Sequence, residues 1–336
     1  MPSKAAVVSI TMNILIHAIG SPLGQSILKS LKISTLQVNI FVSDIYDDAA
    51  GLFMVPQENR VQLPAVKSPL YHDVLVKYVQ EKNIQFIFPV ISAEHDYYEI
   101  HADLYASLGI SVITMNKGIY ELVNNKLDCF NYLNNAGVPA PKTFVADLSE
   151  SFYQSLNAIK GPYLLKPIKG ASGKDIFTLD SISKVESVVS AFAPNYFLVQ
   201  EYLAAKEEYT VGVYRSAFSD FEDTMVINRN LQFGLSYKGE IIENKEIAAY
   251  ALQVCRCLGT TYSANVQLKL QDGQPFVFEV NPRLSSTTYI RAHFGFNEPE
   301  MIIKDILAKG QGLKFNKRTG KFARYWEEFF FEEGDL

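Results

Sequence analysis

The sequence lacks a cysteine framework. Its three cysteines, Cys129, Cys255 and Cys257, are an odd number and do not have the spacing of a zinc ribbon or a redox motif. We therefore interpret the thiols as packing groups in a protein of a reducing compartment. Cys255 and Cys257 follow residues 246–254, whose amphipathic pattern predicts a helix.

Excess positive charge and long apolar runs are also missing. Lys and Arg number 31 against 36 for Asp and Glu, and the formal net charge is -5. A broad nucleic-acid-binding surface is therefore not expected, although this composition still allows a local basic cleft. No apolar stretch approaches the roughly 20 residues that a spanning helix needs. We expect a cytoplasmic globular protein without nucleic-acid or membrane partners.

The N-terminal part has the pattern of an open parallel sheet. An apolar run at 14–16 is followed by a turn with Gly20 and Gly24 and by a helical pattern at 25–31. Further apolar runs at 39–44 and 85–90 predict two more strands, so that about the first 110 residues are Rossmann-like. The Gly-x-Gly-x-x-Gly spacing of dinucleotide-binding turns is absent. A tight turn for helix–sheet packing is therefore the preferred interpretation, and NAD binding is discounted.

Polar residues follow the strand at 85–90. Glu94 and His95 come directly after it, and ligands collect at the carboxyl ends of parallel strands. Glu94 and His95 are accordingly substrate-site candidates. The alternative is that both residues are solvated loop positions.

The pattern changes after a helix predicted over 124–133, which Gly137, Pro139 and Pro141 end. Strands at 163–167 and 196–200 then flank a glycine-bearing loop, and residues 207–289 alternate like antiparallel strands with one helix. We predict three domains: a Rossmann-like domain over 1–115, a helical linker with a small lobe over 116–206, and a large lobe over 207–336.

Two groups of residues have the chemistry of a phosphate site. Lys166 ends an apolar strand and precedes the loop Gly170-Ala171-Ser172-Gly173. Its ammonium and the exposed backbone N–H groups of the loop can converge on phosphate oxygens. Lys126 supplies a second cation. The alternative is a surface lysine before a proline turn.

The second group has the donors of a magnesium site. Alternation places Glu279 and Asn281 on one face of their strand, and a hairpin brings Gln267 beside them. Oxygen-only ligands with one carboxylate suit Mg²⁺, which keeps phosphates and waters at its other positions. Arg283 follows and can grip a phosphate or an acyl phosphate. The alternative makes Glu279 and Arg283 a surface pair.

Taken in order, these motifs resemble the ATP-grasp superfamily. The set comprises Lys126, Leu165-Lys166-Pro167, the glycine-serine loop, Val199-Gln200-Glu201-Tyr202-Leu203, Asn265-Val266-Gln267 and Glu279-Val280-Asn281-Pro282-Arg283. The resemblance is to the carbamoyl phosphate synthetase large chain and its single-module relatives, and it extends from about Asn13 to Ala308. It implies an α/β (α+β) fold in which a Rossmann-like parallel sheet domain precedes a two-lobed ATP-grasp fold.

The resemblance also implies cofactors and roles. ATP and Mg²⁺, with Mn²⁺ as an alternative ion, would bind between the lobes. Lys126, Lys166 and the loop with Gly170, Ser172 and Gly173 would bind phosphates. Gln200, Glu201 and Leu203 would hold the adenine, and Glu208 the ribose hydroxyls. Gln267, Glu279 and Asn281 would ligate the metal, and Arg283 with Lys166 would be catalytic.

The chain departs from the synthetase pattern in one feature that concerns its substrate. Ser286 stands where that pattern usually has another arginine, so Ser285, Ser286 and Arg291 become candidates for carboxylate recognition. Helix capping is the alternative for residues 285–288. Arg229 is interpreted as an exposed strand arginine, with a role near the terminal phosphate as the alternative.

These observations lead to three hypotheses about function. The first is an ADP-forming ligase that joins a carboxylate to an amine. The second is bicarbonate or carbamate phosphorylation of the carbamoyl phosphate synthetase kind, as a homodimer or with a partner. The third is a catalytically silent ATP-binding module that regulates a partner.

Overall fold

The computed structural model describes residues 11–168 and 175–330. The chain forms two compact units. The first comprises residues 11–114, 284–314 and 325–330 of the described part, and the second comprises residues 115–283 and 315–324. Among the described residues, no helix combines the length and the apolar character that crossing a membrane requires.

The first unit is built on a parallel sheet, as the sequence predicts. Its strand order is β3-β2-β1-β4-β5, and β1 pairs in parallel with both β2 and β4. Helices cover the apolar strands and bury residues such as Leu15, Leu75 and Ile87. The strands are β1 (Met12–Ile16), β2 (Val38–Asp44), β3 (Arg60–Gln62), β4 (Phe86–Phe88) and β5 (Ser111–Val112), and the helices are α1 (Pro22–Lys32), α2 (Tyr71–Glu81), α3 (Ser92–Ile100), α4 (Ala102–Ser107), α10 (Thr288–His293) and α11 (Glu298–Ala308).

The glycine turn after β1 serves close packing. Ser21 caps α1 by accepting a hydrogen bond from the Gly24 N–H at 3.0 Å. A Cβ atom at Gly24 would lie 2.7 Å from the Ala18 carbonyl oxygen and 3.1 Å from that of His17. Only glycine therefore lets the first turn of α1 approach the loop so closely. This accounts for the turn without a dinucleotide.

The second unit contains two antiparallel sheets. One has the order β6-β9-β7-β8 and the other the order β14-β13-β10-β11-β12-β15. The strands are β6 (Thr143–Val145), β7 (Tyr163–Pro167), β8 (Phe177–Leu179), β9 (Phe197–Glu201), β10 (Glu208–Arg215), β11 (Glu222–Gln232), β12 (Leu235–Ile242), β13 (Tyr262–Gln271), β14 (Gln274–Asn281) and β15 (Gly320–Ala323), and the helices are α5 (Lys117–Asn124), α6 (Lys126–Asn135), α7 (Glu150–Leu156), α8 (Ile182–Ser190) and α9 (Lys245–Leu258).

The helix predicted over 124–133 is interrupted at its start. Helix α5 ends at Asn124, and Asn125 caps α6 by accepting hydrogen bonds from the N–H groups of Leu127 and Asp128. Asparagine competes in this way for backbone donors, so a new helix begins at Lys126. That cap places Lys126 in the first turn of α6.

The cysteines pack as predicted. Cys129 and Cys255 are 2% and 0% exposed and belong to the core formed by α6, α9 and the larger sheet. Burial raises the pKa of each of these thiols to about 12. Because the thiolate is the reactive form, both groups are chemically inert at neutral pH.

Candidate active site in the second unit

Lys166 is the most unusual side chain of the smaller sheet. It lies in β7 and is 5% exposed, which rules out the interpretation as a surface lysine. Its Nζ donates a hydrogen bond of 3.1 Å to the Phe278 carbonyl oxygen and lies 4.7 Å from the Phe130 ring centroid. Burial lowers the pKa of Lys166 to about 7, and the Glu279 carboxylate opposes that shift.

Two further cations share this neighbourhood. Lys126, at the start of α6, lowers the pKa of Lys166, so the two ammonium groups repel each other. Burial lowers the pKa of Lys126 and of Arg283, and in both cases Glu279 opposes the shift. The Glu279 carboxylate therefore interacts electrostatically with three cations, which lie in α6, in β7 and just after β14. Three cationic side chains close to one another suit the binding of a polyanion.

The β13–β14 hairpin brings the predicted oxygen donors together. Gln267 lies directly opposite Glu279, and Asn265 lies opposite Asn281. The Asn281 Nδ2 donates to the Glu279 Oε1 at 3.1 Å, so these two side chains are on the same face. Asn265 is 2% exposed and accepts a hydrogen bond from the Thr210 hydroxyl.

A magnesium ion at the hairpin would require several oxygen ligands. Among the described residues there is no group of three or more His, Cys, Asp or Glu that could hold a metal ion. A hard cation at the hairpin would therefore rely on the Glu279 carboxylate, the Asn281 amide oxygen and the ligand's own phosphates. Both side chains fit that requirement. The Gln267 Oε1 accepts a hydrogen bond from Arg229 at 2.7 Å, so its predicted ligand role stays a prediction.

The residues predicted to hold the adenine lie at the end of β9 and just after it. Gln200 is 1% exposed, and its Nε2 donates to the Thr143 hydroxyl at 2.8 Å, which ties β9 to β6. The Glu201 N–H donates to the Lys142 carbonyl oxygen at 3.0 Å. The Leu203 carbonyl oxygen accepts from Lys269 at 3.5 Å. These contacts fix the segment between the two sheets, and its nucleotide role stays a prediction.

Arg229 is not an exposed strand arginine, and that interpretation was wrong. The residue is 9% exposed, and its guanidinium forms an ion pair with Glu208 at 2.5 Å. Register explains the burial, because Glu208 and Arg229 are direct partners in the β10–β11 pair. The alternation of one strand could not indicate which residue stands opposite.

The predicted glycine loop with Gly170, Ser172 and Gly173 lies outside the described residues. Its phosphate-binding role stays a prediction.

The predicted substrate residues Ser285 and Arg291 belong to a buried network of the first unit. Arg291 and Glu298 are both 0% exposed, and the guanidinium donates to the two carboxylate oxygens at 2.7 and 2.9 Å. The hydroxyls of Ser285 and Thr287 accept further hydrogen bonds from Arg291. The Ser286 carbonyl oxygen accepts from the Ser26 hydroxyl. These contacts hold α10 against α11 and α1 within the first unit, and a substrate role stays a prediction.

Glu94 and His95 are each 5% exposed, so the solvated-loop alternative is wrong. The Glu94 carboxylate accepts hydrogen bonds from the N–H groups of Val90 and Ile91 at 2.7 and 3.0 Å. Burial raises the pKa of Glu94 to about 7, although these two hydrogen bonds lower it. The residue stabilises the start of α3, and its substrate role is untested.

Two partners of Lys166 were not predicted from the sequence. Phe130 is a buried aromatic of α6, and the Phe278 carbonyl belongs to a backbone that any residue could supply. The sequence indicated only that Phe130 lies one helical turn after Lys126. A ring at helical spacing is more often a core residue than a cation partner.

The fold and the site together define an α/β protein with a cation cluster and a hairpin of oxygen donors in one unit. Residues 123–287 match the family described as the ATP-grasp domain. The chain therefore carries an ATP-grasp domain. Carbamoyl-phosphate synthase from Methanobrevibacter smithii is 22% identical over 226 residues, which are 62% of this chain and 60% of that relative.

Solved structures are similar in fold at low identity. N5-carboxyaminoimidazole synthetase from Staphylococcus aureus, complexed with ADP, has a TM-score of 0.70 and 12% identity, and the match covers 91% of this chain and 80% of that chain. L-amino acid ligase from Bacillus licheniformis has a TM-score of 0.65 and 16% identity, and the match covers 88% of this chain and 74% of that chain. These likenesses confirm the predicted fold class.

Proposed function

We propose that this protein is an ATP-dependent, ADP-forming ligase that phosphorylates a carboxylate and joins the acyl group to an amine. The observation that carries the proposal is the grouping of the cations Lys126, Lys166 and Arg283 near the Glu279 carboxylate. The ATP-grasp match over residues 123–287 and the fold likeness to two ligase structures support it.

The charge balance of the cluster suits the triphosphate of ATP. Burial lowers the pKa of each of the three cations, so a buried negative charge beside them would stabilise their charged forms. The phosphate oxygens of ATP would supply such negative charge. Mg²⁺, when bound at Glu279 and Asn281, would neutralise phosphate charge that builds during transfer.

The chemistry then follows from the weakness of a carboxylate as an electrophile. A carboxylate oxygen attacks the γ-phosphorus of ATP, ADP leaves, and the resulting acyl phosphate has a good leaving group. The amine attacks the acyl carbon, and phosphate departs with the oxygen that it received. Lys166 and Arg283 would orient the transferred phosphoryl group and stabilise its charge.

The remaining roles concern the nucleotide. Gln200, Glu201 and Leu203 would hold the adenine, and Glu208 the ribose hydroxyls. Small-molecule carboxylates and amines in the cytoplasm are the proposed substrates.

A second candidate is the phosphorylation of bicarbonate or carbamate. The relative named as a carbamoyl-phosphate synthase favours it, and the match spans 60% of that relative. Dependence of ADP release on bicarbonate alone, without an organic acid, would identify this candidate.

The test is ADP release from Mg·ATP across a panel of carboxylates, amino acids and bicarbonate. We expect at least one combination to release ADP, and we expect Glu279→Gln to lose more than about a hundredfold in turnover, the size of effect seen when one transition-state contact is removed. Glu240→Gln is the matched control, because Glu240 lies in the same sheet and pairs with exposed Lys321. Full turnover in Glu279→Gln would contradict the assignment.

A further inference from the structure

Arg229 reaches across three neighbouring strands of the larger sheet. From β11 its guanidinium contacts Glu208 in β10, Ser236 in β12 and Gln267 in β13. Nε and Nη2 donate to the Glu208 Oε1 at 3.1 and 2.5 Å, and Nη2 also donates to the Gln267 Oε1 at 2.7 Å. The side chain is 7% exposed, so this arrangement is held in a buried setting.

These contacts leave Arg229 little capacity to bind a ligand itself. A guanidinium has five N–H donors. One hydrogen bond comes from Nε, one from Nη1 to Ser236 and two from Nη2, so that protein groups take four donors. To bind a phosphate through two hydrogen bonds, Arg229 would have to break a hydrogen bond to Glu208. Its effect on a ligand must therefore act through its partners.

Arg229 fixes the orientations of the Glu208 and Gln267 side chains. Because a guanidinium only donates hydrogen bonds, the amide atom of Gln267 that faces it must be the oxygen. Gln267 stands opposite Glu279, so Arg229 orients an amide beside the proposed metal carboxylate. Arg229 also compensates the charge of Glu208, whose side chain is 19% exposed. An uncompensated carboxylate there would rotate freely and add negative charge to a site for a polyanion.

We propose that Arg229 is a positioning residue of the nucleotide site, which holds the Glu208 carboxylate and the Gln267 amide in fixed orientations. The inference rests on the proposed function, since it takes Glu208 as the partner of the ribose hydroxyls. It predicts that discrimination between ribose and a sugar without hydroxyls depends on Arg229 although Arg229 does not contact the sugar.

The test is the dissociation constants of Mg·ADP and Mg·2′,3′-dideoxy-ADP by isothermal titration calorimetry. The wild-type chain should bind ADP more tightly than the dideoxy analogue. Arg229→Met should weaken ADP binding by about tenfold, the equivalent of one hydrogen bond to a charged group, and should largely abolish the preference for ADP. Glu208→Gln should also lose the preference. Arg229→Lys should retain part of it, because one ammonium can pair with Glu208 but cannot also reach Gln267 in the same geometry.

The matched control is Arg215→Met. Arg215 also lies in this sheet and pairs with a carboxylate, Glu222, at the opposite end of β10. Its loss should lower the unfolding temperature and leave the preference for ADP unchanged. An unchanged preference in Arg229→Met, or an equal loss in Arg215→Met, would overturn the inference. If the wild-type chain binds no adenine nucleotide, the proposed function fails and this inference fails with it.

Discussion

At the scale of single residues, the fully buried ion pair between Arg291 and Glu298 joins helices α10 and α11 of the first unit. Both side chains are 0% exposed and meet through two hydrogen bonds. Removing one partner leaves the other charge buried without compensation, which costs about 3–5 kcal/mol. We expect Arg291→Met to lower the free energy of unfolding by that amount, measured by urea denaturation followed by circular dichroism.

The control for this prediction is Lys304→Met. Lys304 pairs with Glu300 four residues earlier in α11, and its side chain is 43% exposed. Exposed pairs contribute at most about 1 kcal/mol. Equal losses in the two variants would show that the buried pair is not a structural brace.

Glu94 makes stability depend on pH. Burial raises its pKa to about 7 in the folded state, above its ordinary value of 4.5. The folded chain therefore holds a proton between those values that the unfolded chain has released, so the contribution of Glu94 to stability falls as pH rises from about 4.5 to 7. Glu94→Gln cannot titrate. Its unfolding free energy relative to wild type should rise by about 2–3 kcal/mol between pH 4.5 and 8. A constant difference across that range would contradict the account.

The placement of a side chain could be predicted where it depends on the residue's own strand. It could not be predicted where it depends on a neighbouring strand. Glu279 and Asn281 share a face because side chains alternate, and their hydrogen bond confirms this. Arg229 was misinterpreted because its carboxylate partner is 21 residues away, on the opposite strand. Burial of Glu94 likewise results from packing that no local pattern contains.

Glycine packing tests the account at the scale of an element. A Cβ at Gly24 of α1 would lie 2.7 Å from the Ala18 carbonyl oxygen, a backbone atom that cannot move aside cheaply. Gly24→Ala should therefore cost about 1–3 kcal/mol, despite the higher helix propensity of alanine.

Gly118 of α5 provides the comparison. Its added Cβ would meet nothing closer than 3.6 Å, so Gly118→Ala should be neutral or should stabilise by up to about 1 kcal/mol. Thermal unfolding of both variants measures the two effects. A stabilising Gly24→Ala would remove the packing explanation for the glycine turn.

Element order was predictable, and element ends were less so. Runs of apolar residues indicated β1, β7 and β9, which the structure contains. The break at Asn125 and the strand Gly320–Ala323 were not predicted. A four-residue strand has no periodic signal of its own, and it forms because β12 offers a free ladder edge to pair with.

At the scale of the whole molecule, the sequence predicts a parallel-sheet part and an ATP-grasp part, and the fold class is confirmed. The sequence did not indicate that residues 284–314 return to the first unit. Their contacts with α1, such as the 2.7 Å hydrogen bond from the Tyr289 N–H to the Ser26 hydroxyl, join residues 263 positions apart. Nothing in a local pattern reports such a separation.

The formation of an acyl phosphate is the central claim, and isotope transfer tests it most directly. The carboxylic acid that gives the greatest ADP release would be supplied with ¹⁸O in both carboxylate oxygens, together with its amine and Mg·ATP. The account predicts one ¹⁸O atom in each released phosphate by mass spectrometry, because the C–O bond to the phosphorylated oxygen breaks when the amine attacks. Unlabelled phosphate, with both labelled oxygens retained in the acid or its product, would contradict it.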